Sequence, residues 1–469
     1  MIRKRDSLAH TVRAKHGLGE IYQTTLINKL LCLLANKLAS LDPFGCGIEM
    51  EANKPNWFDA LNGLPALMGS SICETFELKR LVLFIKDALQ KTKIANLYVT
   101  EEICDFLTGL DNLLKETLES NSANKDYLYW DKSSSLKEEY RQKTKLGFSA
   151  DEVEISASQL NTMLNNALRK IENGITKAYD AKRNIYYSYF INEVVEYEPI
   201  KDHFVKPAVF RQIPLPIFLE SQMHALRLSA DINEAKKIYA GTRRSELFDK
   251  ALKMYKVTAS LKGMPEEIGR CRVFTPGWLE HESVWLHMEY KYMLELLKSG
   301  LYQEFYQDLK NVLIPFQKPQ RYGRITLENS SFLVSSAFPD KSLHGNGFVA
   351  RLSGSTVEFL QMWLVMNLGP KPFFLNAKGE LNLRFAPALA GWLFDRKGSY
   401  SFNFLSKTRV TYHNPKRKDT FGKTAAKVKR ITFTDKNSNP VEISSDTIPS
   451  TYAQEIRSCQ IRNIDIYLG

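Results

Sequence analysis

Apolar residues recur at helical spacing across residues 20–40, EIYQTTLINKLLCLLANKLAS, and the pattern stops at LDPFGCG, where Pro and Gly break it. After a broken stretch, NKPNWFDALNGLPAL (53–67), helical spacing resumes in SSICETFELKRLVLFIKDALQK (70–91). Ser70 or Ser71 ahead of Glu74 predicts a capping box there. Further helices are predicted in ICDFLTGLDNLLKETLE, ASQLNTMLNNALRKIENGITKAYDA and SELFDKALKMYKV. Between them, ESNSANKDYLYWDKSSS reads as a polar, mobile interruption and VVEYEPIKDHFVKPAVFRQIPLPIF as extended chain. Residues 277–300, GWLEHESVWLHMEYKYMLELLKSG, are predicted as one long helix ending at Gly300, with helices following in LYQEFYQDLKNVLIPF and SGSTVEFLQMWLVMNLG. From about residue 370 the pattern changes to alternation, in ELNLRFAPALAGWLF, YSFNFLSKTRVTYHN and KVKRITFTDKNSNPVEIS. Helices first and strands last predict a mostly α chain closed by a β-domain, divided at 369/370.

Composition narrows the class. The chain has 469 residues, 44% of them hydrophobic, enough to bury sizeable cores. No run of about 18 uncharged apolar residues occurs, so no membrane span is expected. The basic N-terminus has no apolar segment behind it and does not read as a secretory signal. The six cysteines are scattered without a CxxC pair. That spacing argues against a zinc site and a disulfide framework, and it fits a cytoplasmic protein. The net charge of +12 is dispersed along the chain, which suits anionic ligands such as phosphate. No nucleic-acid-binding signature accompanies it, and no GxGxxG or Walker loop is present. No nucleic-acid partner, metal or cofactor is expected.

Three stretches carry candidate chemistry. Asp59 follows Trp57 and Phe58 and precedes Asn62 in a loop shaped by Pro and Gly. A carboxyl group beside aromatics is expected to be desolvated, which raises its pKa as a general acid requires, and aromatic faces stack on pyranose rings. The competing expectation is that Asp59 caps the next helix. In FTPGWLEHESVWLHMEYKY (274–292), Trp278, Glu280, His281, Glu282 and Trp285 crowd the predicted helix start, where free N–H groups favour anions. The alternative is an amphipathic helix with core tryptophans. In SLHGNGFVARLSGSTVEFLQMW (342–363), Ser353-Gly354-Ser355-Thr356 opens a helix as a phosphate cradle, or Ser353 or Ser355 simply caps it. Upstream, YGRITLENSSFLVSS adds Arg324, Glu328 and Asn329.

In order and approximate spacing these stretches resemble the inverting disaccharide phosphorylases of glycoside hydrolase family 94, the cellobiose phosphorylase family. NWFDALNG is similar to the family's WND stretch, PGWLEHESVW to its Gly-rich start with a phosphate-binding His, and RLSGSTVEF to its TGS turn. The resemblance covers about 20–90 and 265–420 and is nearest to large β-1,2-oligoglucan phosphorylase-type members. It implies Asp59 as the acid, His281, Ser353 and Gly354 at phosphate, and Trp57, Asn62, Trp278, Glu282 and Glu328 at sugar. It also implies a partial (α/α)6 barrel over 1–369, interrupted by an insertion at about 100–260, followed by a jelly-roll-like β-sandwich over 370–469.

On that pattern Asp59 protonates the glycosidic oxygen while inorganic phosphate, the co-substrate, attacks the anomeric carbon of a β-glucan oligosaccharide or disaccharide. An inverting hydrolase needs a second carboxylate as base instead. Glu280, Glu282, Glu328 and Glu358 are the candidates, so a hydrolase on the same fold is the alternative. The family carries a β-sandwich and half a barrel before the Asp loop, whereas this chain starts about one helix before it. The resemblance therefore also implies a C-terminal fragment, inactive until it meets an upstream half-barrel polypeptide or assembles as a homo-oligomer.

Overall fold

The computed structural model describes residues 11–54, 56–145, 147–350 and 353–469, and the side chains of all these except Asp202, Ala350 and Ser353. About 43% of the chain is helix and 21% strand, so the class is mixed α plus β. The chain forms two compact units. The first comprises Met1–Leu228, Ala240–Leu247 and Val257–Glu282; the second comprises Ser229–Tyr239, Phe248–Lys256 and Ser283–Gly469. The boundary expected at 369/370 falls inside the second unit. Among the described residues no helix is long and apolar enough to cross a membrane.

The first unit is built on α1 (Leu26–Leu38), α2 (Ile72–Thr92), α3 (Glu101–Glu119), α4 (Lys125–Thr144), α5 (Ala157–Lys177) and α6 (Leu219–Arg227). The periodicity of α1 has a direct result: Leu31, Leu34 and Leu38 are fully buried on one face. Each such leucine contributes about 1.5–3 kcal/mol through burial. α2 packs on α1, α5 and α6, and α3 on α1, α4 and α5. The region read as extended is a long hairpin, Tyr189–Pro199 with Val205–Pro214. It completes a four-stranded sheet with Ser70–Ser71 and Ile48–Glu49.

Three expectations fail here for physical reasons. The polar stretch at 119–135 is an interruption only as far as Asn124; from Lys125 it is helix α4, whose buried stripe is Tyr129, Ser133 and Lys137. Tyr129 OH donates to Leu38 O at 3.2 Å, and Lys137 Nζ donates to Ser40 Oγ at 2.9 Å, so a polar face is satisfied inside. The capping box before α2 does not form: Ser71 is the N-cap residue but makes no side-chain cap bond, and Glu74 pairs with Lys37 instead. SELFDKALKMYKV is not a helix but contains a tight hairpin, Phe248–Asp249 with Met254–Tyr255. Asp249 Oδ1 accepts the N–H groups of Ala251 and Leu252 at 3.0 and 3.1 Å and so closes its turn.

Helix α7 (Ile232–Arg244) is divided between the two units. The second unit holds α8 (Leu286–Lys298), α9 (Tyr302–Val312), the single turn α10 (Pro319–Tyr322), α11 (Ser353–Leu368) and α12 (Ser450–Arg457). α8 packs on α11 and α9. Its Glu289 is fully buried, with Oε1 accepting Tyr255 N–H at 2.7 Å and Oε2 without a hydrogen-bond partner among the described residues. The alternating C-terminal segment forms strands as expected, in a five-stranded sheet ordered Ser399–Phe404, Thr408–His413, Asn463–Leu468, Val428–Thr434, Pro440–Ile443. The Thr408–His413 and Asn463–Leu468 strands are parallel and the other pairs antiparallel.

Candidate functional site

Phe58 and Asp59 are adjacent and face opposite environments. Phe58 is buried against Phe218 and Tyr189, with ring centroids 5.0 and 6.4 Å away, and anchors the loop in the first unit's core. Trp57 lies half-buried beside it, 6.2 Å between centroids. Asp59 opens a short 3-10 turn, Asp59–Leu61, and caps no helix, since α2 begins only at Ile72. Its carboxylate is 58% exposed and pairs with Arg270, Nη2 to Oδ2 at 2.9 Å. The desolvation expected of Asp59 is therefore not what the fold provides: the aromatics bury the backbone under it and leave the carboxylate in the open.

The residues after Asp59 explain how Arg270 reaches it. Asn62 Oδ1 accepts Arg270 N–H at 3.1 Å, and Gly63 N–H donates to Ile268 O at 3.2 Å. A Cβ at Gly63 would stand 2.0 Å from Glu267 O, so only glycine lets the two main chains meet there. Gly269, at φ +129, makes the turn that presents Arg270.

Glu280 supplies the desolvated carboxyl. Burial raises its pKa above the ordinary carboxyl range, the nearby charge of Asp59 raises it further, and Arg270 works against both. One arginine and two carboxylates thus interact in one place, one carboxylate open to solvent and one partly buried. That contrast is the arrangement that separates protonation roles between two acids.

The segment expected to start a long helix does not. α8 begins at Leu286, and Gly277 to His281 is a tight turn closed by His281 N–H to Trp278 O at 3.1 Å and Gly277 N–H to His281 O at 2.8 Å. Leu279 and Glu282 take left-handed φ values of +47 and +58, each of which interrupts a helix. His281 and Trp285 therefore share no helix face, and His281 does not stand at a helix start. The His281 ring is 1% exposed. Its Nε2 accepts Leu261 N–H at 3.1 Å, so Nδ1 carries the proton and donates to Phe274 O at 2.8 Å. An anion reaches this ring only by displacing one of those bonds. Glu282 is buried beside it and its N–H donates to Thr258 Oγ1 at 3.0 Å. Trp278 is half-buried in the same turn.

In the second unit α11 starts at Ser353, so Ser353 and Ser355 stand in its first turn. The Ser353 side chain lies outside the described residues. A Cβ at Gly354 would lie 2.6 Å from the imidazole of His287, so the glycine makes room for that ring. His287 Nε2 is 3.8 Å from Glu358 Oε1. Burial opposes ionisation of Glu358, but His287 with Lys291 and Lys298 outweighs it and holds the carboxyl below its ordinary range. Asn329 Nδ2 donates to Thr356 Oγ1 at 3.4 Å, tying the preceding strand to the same helix start. Glu328 is half-buried before that strand, its carbonyl accepting Tyr322 OH at 2.6 Å.

Compared with known protein families and with characterised proteins, the chain matches none by sequence.

The fold thus gathers Asp59 and Asn62 with Arg270 and Glu280 in the first unit, and Gly354 with His287 and Glu358 in the second. His281 and Glu282 brace the backbone. Arg270 was not foreseen: it stands far from Asp59 along the chain, and no local pattern marks it. His287 was visible as a histidine, but its partner Gly354 is supplied by another helix.

Proposed function

We propose that this chain is a cytoplasmic enzyme acting on glycosidic bonds, an inverting glycoside phosphorylase that uses inorganic phosphate to release sugar 1-phosphate from β-glucosides or β-gluco-oligosaccharides. The observation that carries the reading is the Asp59 carboxylate: exposed, held by Arg270 at 2.9 Å, and set beside Trp57 on a loop locked by Gly63. In this reading bound sugar covers Asp59 and supplies the desolvation that the open site lacks. Asp59 then takes up a proton and passes it to the glycosidic oxygen, Trp57 and Asn62 meet the sugar, and the phosphate oxygen forms the new bond at the anomeric carbon as the old one breaks. The partial (α/α)6 barrel and the terminal β-sandwich belong to the same proposal, supported outside the 100–260 insertion by the pairing of α1 with α2 in the first unit, by that of α8 with α9 and α11 in the second, and by the five-stranded C-terminal sheet. Scattered thiols, all free, support the cytoplasmic setting. The phosphate roles assigned by resemblance to His281, Ser353 and Gly354 remain part of the proposal, with His287 added beside Gly354.

A second reading is an inverting hydrolase in which Asp59 and Glu280 divide the acid and base roles, favoured by the raised carboxyl of Glu280 and its coupling to Asp59. Incubating the chain with β-gluco-oligosaccharides, with and without inorganic phosphate, separates the two. Sugar 1-phosphate formed only with phosphate supports the phosphorylase; free sugar at the same rate in both supports the hydrolase. No cleavage of any β-glucoside, alone or with an added upstream polypeptide, overturns both.

A further inference from the structure

The scattered cysteines argued against a zinc site, but ligands need to be close in space rather than in sequence. Glu220 and His224 are four residues apart on α6 and so share a face. Cys73 stands in the first turn of α2, which packs on α6. The Cys73 thiol, a Glu220 carboxylate oxygen and a His224 ring nitrogen lie within 4.8 Å of one another, and all three side chains are buried. Among the described residues this is where His, Cys and carboxylate groups converge closely enough to hold an ion.

The surrounding groups are ordered around those three atoms. His224 Nδ1 is 3.0 Å from Glu77 Oε1, which leaves Nε2 turned toward Glu220 Oε1 at 3.9 Å. Glu77 is itself held by Arg227 Nη1 at 2.8 Å. Glu220 Oε2 accepts the hydroxyl of Tyr189, so its other oxygen is the one directed inward. Phe76 stacks on the imidazole at 6.3 Å between centroids and 6° between planes, fixing the ring's orientation. The Ser71 hydroxyl faces the Cys73 thiol and has no other partner among the described residues.

We propose that Cys73, Glu220 and His224 bind a zinc ion that clasps α6 to α2, with Glu77 as the positioning residue behind His224. A histidine that ligates metal through one nitrogen almost always donates from the other to a carboxylate or carbonyl, and Glu77 occupies that place. Sulfur, imidazole and carboxylate together are zinc's ligand set, and three protein ligands leave a fourth position beside Ser71. On binding, the Cys73 thiol proton and the Nε2 proton of the His224 ring, which faces Glu220 in the free site, leave to solvent, and His224 ligates as the neutral ring protonated at Nδ1. Thiolate and carboxylate then balance the ion's two charges, and Glu77 is balanced by Arg227, so no net charge is buried. A purely structural ion-pair network accounts for the two carboxylates around the imidazole, and the thiol also faces the Ser188 hydroxyl, but such a network leaves the buried Ser71 hydroxyl without a task. The proposal is independent of the glycoside reading.

The test titrates the chelator-stripped full chain with Zn2+ by calorimetry and with Co2+ by absorption. The expected result is one site, a thiolate-to-cobalt charge-transfer band, and a melting temperature that rises with Zn2+. Cys73→Ser removes the band and the thermal shift. Glu77→Gln, which leaves all three ligands in place, weakens Zn2+ binding by about 10–100-fold. A stripped wild-type chain that binds no Zn2+, or a band that persists in folded Cys73→Ser, overturns the proposal. If Cys73→Ser does not fold, unchanged Zn2+ affinity in Glu77→Gln overturns it equally.

Discussion

Arg270 Nη2 lies 2.9 Å from Asp59 Oδ2, and both groups are about half exposed. An ion pair in that setting contributes only about 0–1 kcal/mol to stability. Its value is positional: it holds a carboxylate at the surface of a loop whose backbone is anchored by Phe58 and Gly63.

Asp59→Asn should therefore leave the melting temperature nearly unchanged while removing about 10²–10⁴-fold of glycoside-cleaving activity, the usual worth of a general acid. The measurement pairs a thermal melt with initial rates on a β-gluco-oligosaccharide. Near-normal rates would remove Asp59 from the chemistry.

Glu280 gives a pH prediction. Burial, with the charge of Asp59 adding to it against a backbone hydrogen bond and Arg270, places its pKa above the ordinary carboxyl value. If Glu280 donates a proton, activity should fall as pH rises through that displaced value, and Glu280→Gln should abolish turnover together with that basic limb. In the phosphorylase reading, Glu280→Gln instead keeps phosphate-dependent activity within about tenfold. The pH–rate profiles of the two proteins decide between them.

His281→Ala should act on stability. The change leaves buried Leu261 N–H without its acceptor, a loss of about 1–3 kcal/mol. Gly354→Ala, by contrast, drives a methyl group into His287 and should raise the KM for phosphate more than that for sugar. Denaturant melts and KM values in both substrates for each variant check the pair. A stable His281→Ala protein with a raised phosphate KM would return that role to His281.

Glu289 ties stability to pH. Burial raises its carboxyl well above the ordinary value, Tyr255 N–H opposes that, and the charges of Asp308 and Asp249 add to it. Above the ordinary carboxyl range the folded state keeps a proton that the unfolded state has lost, so stability falls with rising pH until the displaced value is passed. Glu289→Gln should flatten that slope and be the more stable protein at neutral pH. Urea melts from about pH 4 to pH 8 measure it, and parallel slopes in both proteins would refute it.

Hydrophobic periodicity by itself determined α1, α2, α3, α5, α9 and α11 and the C-terminal strands, because each buries a face that recurs at its own backbone period, whereas Pro and β-branched residues marked the long hairpin only as extended chain. Periodicity misread α4, whose inward stripe of Tyr129, Ser133 and Lys137 is polar and becomes legible only through Leu38 and Ser40. It also carried a helix through Gly277–Trp285, where two left-handed residues and the His281 turn override the pattern. The Asp59 loop was legible as irregular and aromatic. Its partners were not: Arg270 reaches Asp59 where Gly63 allows two main chains to touch, and Glu280 feels the charge of Asp59 from a segment far along the chain. Cys73, Glu220 and His224 likewise carry no mutual signal along the chain and meet only when α2 packs on α6. Local spacing sets which face of an element is buried, whereas the chemistry depends on which faces meet, and that is decided by packing between distant segments.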